Sequence, residues 1–148
     1  MKRAPLLVVD TLVVVSAIIG NTGSASFALL HAIETGEVRL AVSDDWLREL
    51  VRVLEYPRIA GIINADQSKP ARAFRIALGI GLMGQLHRPR RLDWPSLSDP
   101  NDGWIFDLAF ESHAEFIVSR DARVIAAGQA LDFEVLDPAA ALGRLRGR

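Results

Sequence analysis

The sequence predicts an α/β fold: a single domain with a central parallel sheet of about four to five strands, flanked by helices on both faces. Three observations predict it. Short runs dense in Val, Leu and Ile alternate with longer helical segments, which is how parallel sheets are built. The strand-like runs are apolar throughout rather than alternating, as befits strands covered on both sides. The 148 residues can bury one core of ordinary size. Residues 1–148 therefore read as one domain, with a basic tail at 143–148.

The elements follow in order. Leu6–Asp10 is a fully buried strand that runs into a helix. "SASFALLHAIETG", Ser24 to Gly36, is a helix with a Ser cap and a terminal Gly. Val38–Val42 is a second strand. In "SDDWLRELVRVLEYP", Ser43 is the N-cap, Asp44 and Asp45 occupy the first turn, and Pro57 is the stop. The periodicity places Leu47, Leu50, Val51 and Leu54 on its apolar face and Glu49 on the surface. Glu55 to Asp66 shows no clean amphipathic pattern. Its Ile59, Ile62 and Ile63 form either an exposed apolar patch at a partner surface or part of an irregular turn on the core. Ser68 to about Gly84 is helical despite several glycines, and Leu86–Leu92 reads as loop or short strand. "SDPNDG" (98–103) is a turn and helix start, and Trp104–His113 continues it. Phe116–Ser119 is a buried strand, Ala122–Gly128 a short helix and Phe133–Leu136 a last strand. Asp137-Pro138 then opens a C-terminal helix, with Pro at its first position.

Composition narrows the function classes. With no Cys, disulfides and thiolate metal sites are excluded. No apolar stretch reaches the roughly 18–20 residues of a membrane span. Asp10 also splits the apolar N-terminal region, so it reads as strand and helix rather than signal peptide, and the expectation is a cytoplasmic protein without a membrane partner. Lys plus Arg number 17 and Asp plus Glu 18, so bulk charge does not announce a nucleic-acid binder. "HRPRR" (87–91) and "GRLRGR" (143–148) are nonetheless local basic clusters, and Arg suits bidentate phosphate contact. Arg88, Arg90 and Arg91 are the candidates for RNA contact. His31, His87 and His113 lack metal-ligand spacing, and no Gly-rich phosphate loop follows the first strand.

Asp10 ends the most apolar strand, and three more strands run into an aspartate: Asp44, Asp121 and Asp137. The carboxyl ends of parallel strands share one edge, where ligands bind. Crowded carboxylates either raise one another's pKa or hold a divalent cation, and hard oxygen donors suit Mg²⁺ or Mn²⁺. Asp137 reads most simply as a helix cap and Asp44 as a first-turn acid, leaving Asp10 and Asp121 as the site candidates.

Three stretches in order, "VVDTLVVVSAI", "VSDDWLRELVRVLEYPRI" and "SDPNDGWIFDLAFESHAEFIVSRD", resemble a PIN domain over nearly the whole chain. In particular they are similar to the PIN toxins of bacterial toxin–antitoxin systems, the VapC-type group. The resemblance implies an acidic quartet, Asp10, Glu49, Asp102 and Asp121, holding Mg²⁺ or Mn²⁺ and activating water against an RNA phosphodiester. Thr11 and Ser119 would support the quartet by hydrogen bonding. Asp107 is either a further acidic member or a solvated residue beside Glu111. A homodimer and a small cognate antitoxin encoded nearby are the implied partners. Asp102 is also well placed to cap the following helix. The sequence departs from the family at Leu12, where a polar Asn is usual, and at Gly103, where Asn or Asp is usual. Leu12 removes a hydrogen-bonding group beside the metal site. A catalytically degenerate PIN domain, a non-enzymatic RNA-binding or regulatory α/β module, is therefore the alternative.

Overall fold

The computed structural model describes residues 3–95 and 97–147. Five parallel strands form one sheet in the order β3-β2-β1-β4-β5. They are β1 (Leu6–Val9), β2 (Arg39–Val42), β3 (Gly84–Leu86), β4 (Phe116–Val118) and β5 (Val135–Leu136). The helices among the described residues are α1 (Thr11–Ile19), α2 (Ala25–Glu34), α3 (Asp44–Leu54), α4 (Pro57–Asn64), α5 (Ser68–Met83), α6 (Gly103–Ser112), α7 (Ala122–Ala130) and α8 (Pro138–Arg146). Right-handed crossovers in this order put α1–α5 on one face and α6 and α7 on the other, and α8 packs on α2. The α/β architecture is thus the one expected, with no helix long and apolar enough to cross a membrane among the described residues.

β1 is central, and its four residues Leu6–Val9 are all buried. An uninterrupted apolar run is what a strand needs when helices cover both of its faces. The chain leaves β1 toward β2 and β3 and later returns to β1's other side as β4. The direction of winding therefore reverses between β1 and β4, and ligands bind outside the carboxyl ends at such a point. The register sets Val9 beside Val118, so Asp10 and Ser119 are neighbours at that crevice. Asp10 N donates to Val118 O at 2.8 Å, extending the pairing one residue beyond β1.

Two elements differ from the sequence reading. Glu55 to Asp66 contains α4, with Pro57 at its first turn, where a missing N–H costs nothing. Pro57 thus starts one helix as it stops another. Ile59, Ile62 and Ile63 are half-buried, and Ile59 and Ile63 pack against the core. The exposed apolar surface lies instead on α5, where Phe74, Leu78 and Leu82 repeat at a spacing of four. Of the ambiguous segment Leu86–Leu92, only Leu86 is strand, and β3 begins earlier, at Gly84.

The buried face of α3 is a further correction. Trp46, Leu50 and Val53 are buried, whereas Leu47 and Val51 are exposed, Val51 at 55%. Trp46 Nε1 donates to Val9 O at 2.6 Å across the end of β1, which turns this side of the helix inward. A buried indole N–H requires such a partner. Glu49 stands three residues after Trp46 and four before Val53, so it shares the inward side.

Candidate active site

Each acid is placed by local backbone chemistry. Asp10 is the N-cap of α1, and its Oδ1 accepts a long bond of 3.4 Å from Leu12 N. Its Oδ2 accepts a 2.7 Å bond from the Ser119 hydroxyl. Ser119 Oγ in turn accepts from Asp121 N at 3.0 Å, so one buried hydroxyl fixes both strand ends. Asp121 caps α7 through Arg123 N at 2.9 Å. Asp102 immediately precedes α6 yet makes no capping bond. The cap of the preceding 3-10 turn, Pro100–Asp102, comes from Asp99. The capping role open to Asp102 in the sequence is therefore not the one it fills.

Asp10, Glu49, Asp102 and Asp121 all line one cleft of about 500 Å³. Asp10 is only 7% exposed. Burial pushes its carboxyl above the usual range, the negative charges of Asp121 and Glu49 add to this, and the Ser119 and Leu12 hydrogen bonds oppose it. Asp102 is also raised, first by burial and then by Asp99, Asp121 and Glu49, against the pull of Arg123. The charges of Asp121 and Glu49 thus act on both Asp10 and Asp102 across the cleft. No three acidic or histidine side chains among the described residues stand close enough together to hold a cation.

Two arginines on the cleft wall were missed in the sequence. Arg52 binds Glu49 by a two-pronged pair at 2.7 and 3.0 Å. Arg123 reaches Asp121 at 3.5 Å and Asp102 at 4.0 Å. Three of the four acids are thereby drawn toward cationic partners, while Asp10 is held by neutral donors. The signal was local: Arg52 follows Glu49 by three residues on one helix, and Arg123 follows Asp121 by two.

The supporting residues divide. Ser119 holds Asp10, as described, and Thr11 is buried at the cleft without a side-chain hydrogen bond among the described residues. Asp107 is neither solvated nor on the cleft with the quartet. It is buried, and its Oδ1 accepts from Leu92 N at 3.1 Å and Trp94 Nε1 at 2.8 Å. Its task is to pin the segment after β3 onto α6, an arrangement made by residues 13–15 positions away that a helical wheel cannot show. Gly103 faces the same segment. A Cβ there would meet Trp94 Cδ1 at 3.4 Å and Leu97 Cδ1 at 3.5 Å, which is ordinary van der Waals contact. Leu12 is 47% exposed on the cleft rim and is not a core residue.

A family model described as a PIN domain matches residues 6–123. The chain belongs to the PIN-domain family. PIN domains are generally nucleases and typically depend on a divalent metal. The matched span runs from the first residue of β1 into α7, and so contains all four acids of the cleft. In this PIN domain β5 and α8 lie beyond the match. Comparison with curated proteins gives no match.

Proposed function

We propose that this PIN domain is an endoribonuclease that hydrolyses RNA phosphodiester bonds with the help of Mg²⁺ or Mn²⁺, and that it is the toxin of a toxin–antitoxin pair. The observation that carries the enzymatic reading is Asp10. It is a buried carboxylate at the end of the central strand, held by Ser119 and opening onto a cleft shared with three further acids. An all-oxygen donor set suits a hard cation. Asp10, Glu49, Asp102 and Asp121 do not stand close enough in this structure to share it, and would hold it once Glu49, Asp102 and Asp121 leave their arginine pairs. When bound it would supply an activated water and neutralise charge on the leaving oxygen. In the chain itself, Ser119 orients Asp10, and the α6 N-terminus favours substrate phosphate near Asp102. Arg52 and Arg123 hold Glu49, Asp102 and Asp121 by exposed ion pairs, which are weak enough to exchange.

The toxin role rests on the resemblance of the three motif stretches to VapC-type toxins. It brings with it a homodimer, a small antitoxin as partner and a cytoplasmic site of action. The second reading, a catalytically degenerate module that binds RNA without cutting it, is favoured by Leu12, which presents hydrocarbon at the cleft rim.

Incubating the purified protein with an RNA panel, with and without Mg²⁺ or Mn²⁺, tests the proposal against Asp10→Asn as control. Metal-dependent cleavage that the variant lacks is expected. Binding without cleavage under every condition would support the degenerate reading. The neighbouring reading frames test for the antitoxin.

A further inference from the structure

Beside the acidic cleft lies a second pocket of about 330 Å³ that shares Glu49, Arg52, Asn101 and Trp104 with it. Its remaining wall includes Arg48 and Arg91. The two hollows therefore form one groove, and the second adds Arg48 and Arg91 to it, with Asp45 and Asp107 on the same wall. We infer that this second pocket is a nucleotide subsite for single-stranded RNA, in which Arg91 takes a backbone phosphate and Trp104 stacks on the base next to the bond being cut. The inference rests on the reading of the chain as a PIN ribonuclease and adds the course that the RNA strand takes across this chain's surface.

The cationic groups are not equivalent. Arg48 is paired with Asp45 at 3.4 Å and Arg52 with Glu49. Arg91 has no acidic partner among the described residues. Asp107 contributes to the same wall, but its Oδ1 is engaged by Leu92 N and Trp94 Nε1. Those bonds fix the backbone immediately after Arg91 and so hold its Cα beside the pocket. An anchored, exposed and unpaired arginine beside a nuclease cleft is suited to a phosphate oxygen. Arg88 and Arg90 are exposed on the segment leading to it.

The tryptophans differ in the same way. Trp46 Nε1 is spent on Val9 O and Trp94 Nε1 on Asp107, whereas the Trp104 indole N–H makes no hydrogen bond among the described residues. Trp104 is half-buried, packed on the core and lining both hollows. A half-buried indole on the wall of such a groove is suited to stack on an unpaired base. Bases inside a duplex are already stacked on each other, so this surface selects single strands.

The test uses the full chain carrying Asp10→Asn, so that bound RNA is not cut, and a fluorescein-labelled single-stranded RNA oligonucleotide followed by anisotropy. Adding Arg91→Ala should weaken binding several-fold and lower the slope of log affinity against log salt by about 0.7. Trp104→Leu should weaken it about tenfold, with much of the loss restored by Trp104→Phe. The same sequence as a duplex should bind more weakly and respond little to Trp104→Leu. Melting curves identify any variant that fails to fold, and Arg91→Ala, a change at the surface, stands independently of Trp104. Unchanged single-strand affinity in folded Arg91→Ala and Trp104→Leu overturns the subsite. Cleavage by the natural chain is measured beside it. Absent cleavage with Arg91- and Trp104-dependent binding removes the nuclease reading and leaves the subsite standing, whereas cleavage with variant-independent binding removes the subsite alone.

Discussion

The acidic cleft and the outer face of α5 break the same rule in opposite directions. At the cleft a carboxylate, Asp10, is 7% exposed, while on α5 a leucine, Leu82, is 75% exposed. The cleft is held by a chain of specific bonds, from Val118 O through Asp10 to Ser119 and Asp121. No comparable arrangement accompanies Phe74, Leu78 and Leu82, which simply repeat along one side of a helix. A buried charge survives only when its surroundings are organised around it. An exposed apolar side chain demands nothing from its own fold. Polar irregularity inside therefore points to chemistry, and apolar irregularity outside points at most to association.

That contrast is broken most severely at Asp10. Asp10→Asn should lower RNA cleavage by about a thousandfold or more while raising stability by about 0.5–2 kcal/mol. The sign follows from proton linkage. Burial raises the native carboxyl above its ordinary value of 3.8, so the native state binds more protons than the unfolded chain. Stability conferred by the protonated form is present below that value and is lost as pH rises through the native one. Asn does not titrate, so the variant's melting temperature should keep its acidic-pH advantage at neutral pH. A lower melting temperature at pH 7 would make Asp10 a structural cap.

Leu12→Asn sharpens the comparison at the rim of the same cleft. Because Leu12 is exposed, the amide is not forced into a dry core, and folding should be nearly unaffected. Restoring a hydrogen-bonding group beside the acids should raise metal-dependent cleavage by roughly thirty- to a thousandfold, equivalent to about 2–4 kcal/mol of barrier. Rate and melting temperature measured on this variant separate a weakened nuclease from a degenerate one.

Asp107→Ala carries the argument to a buried carboxylate that serves structure instead. Two donors, Leu92 N and Trp94 Nε1, would lose their acceptor, at a cost of about 1–3 kcal/mol. Denaturant titration should show this as a lower midpoint with an unchanged slope. The smallest effect belongs to α5. Leu82→Ser should change monomer stability by no more than about 0.5 kcal/mol. Light scattering on the same protein reports whether a second copy covers that face, since a dimer seated there would dissociate in the variant.

Sequence reading reached the parts of the site written in short local patterns. The apolar run into Asp10 and the triplet at Ser119–Asp121 mark strand ends, and their placement at one crevice follows from parallel topology, whereas Asp102 came with the family resemblance alone. Glu49 was harder, because two apolar stripes compete on α3. Leu47 and Val51 are as hydrophobic as Val53, and the choice is made by the Trp46 bond to Val9, which spans 37 positions. Asp107 was misread for the same reason, since its partners belong to an irregular segment with no periodicity. Arg52 and Arg123 were legible in spacing but overlooked, because a search for ligands attends to acids and not to the cations beside them. The apolar patch moved from α4 to α5 because Ile59 and Ile63 find the core, whereas the Phe74 stripe does not.

The Ser119–Asp10 hydrogen bond has a consequence for how the domain comes into being. Its partners are 109 positions apart and meet only when β4 has docked on β1. Contacts of such long range carry a loop-closure cost before they give any return, and they form late. A nascent chain emerging from the ribosome therefore has its first acid long before it has a competent site. Catalytic competence arrives with closure of the central strand pair and departs with its opening, so activity should follow cooperative unfolding of the whole domain rather than fraying at either end.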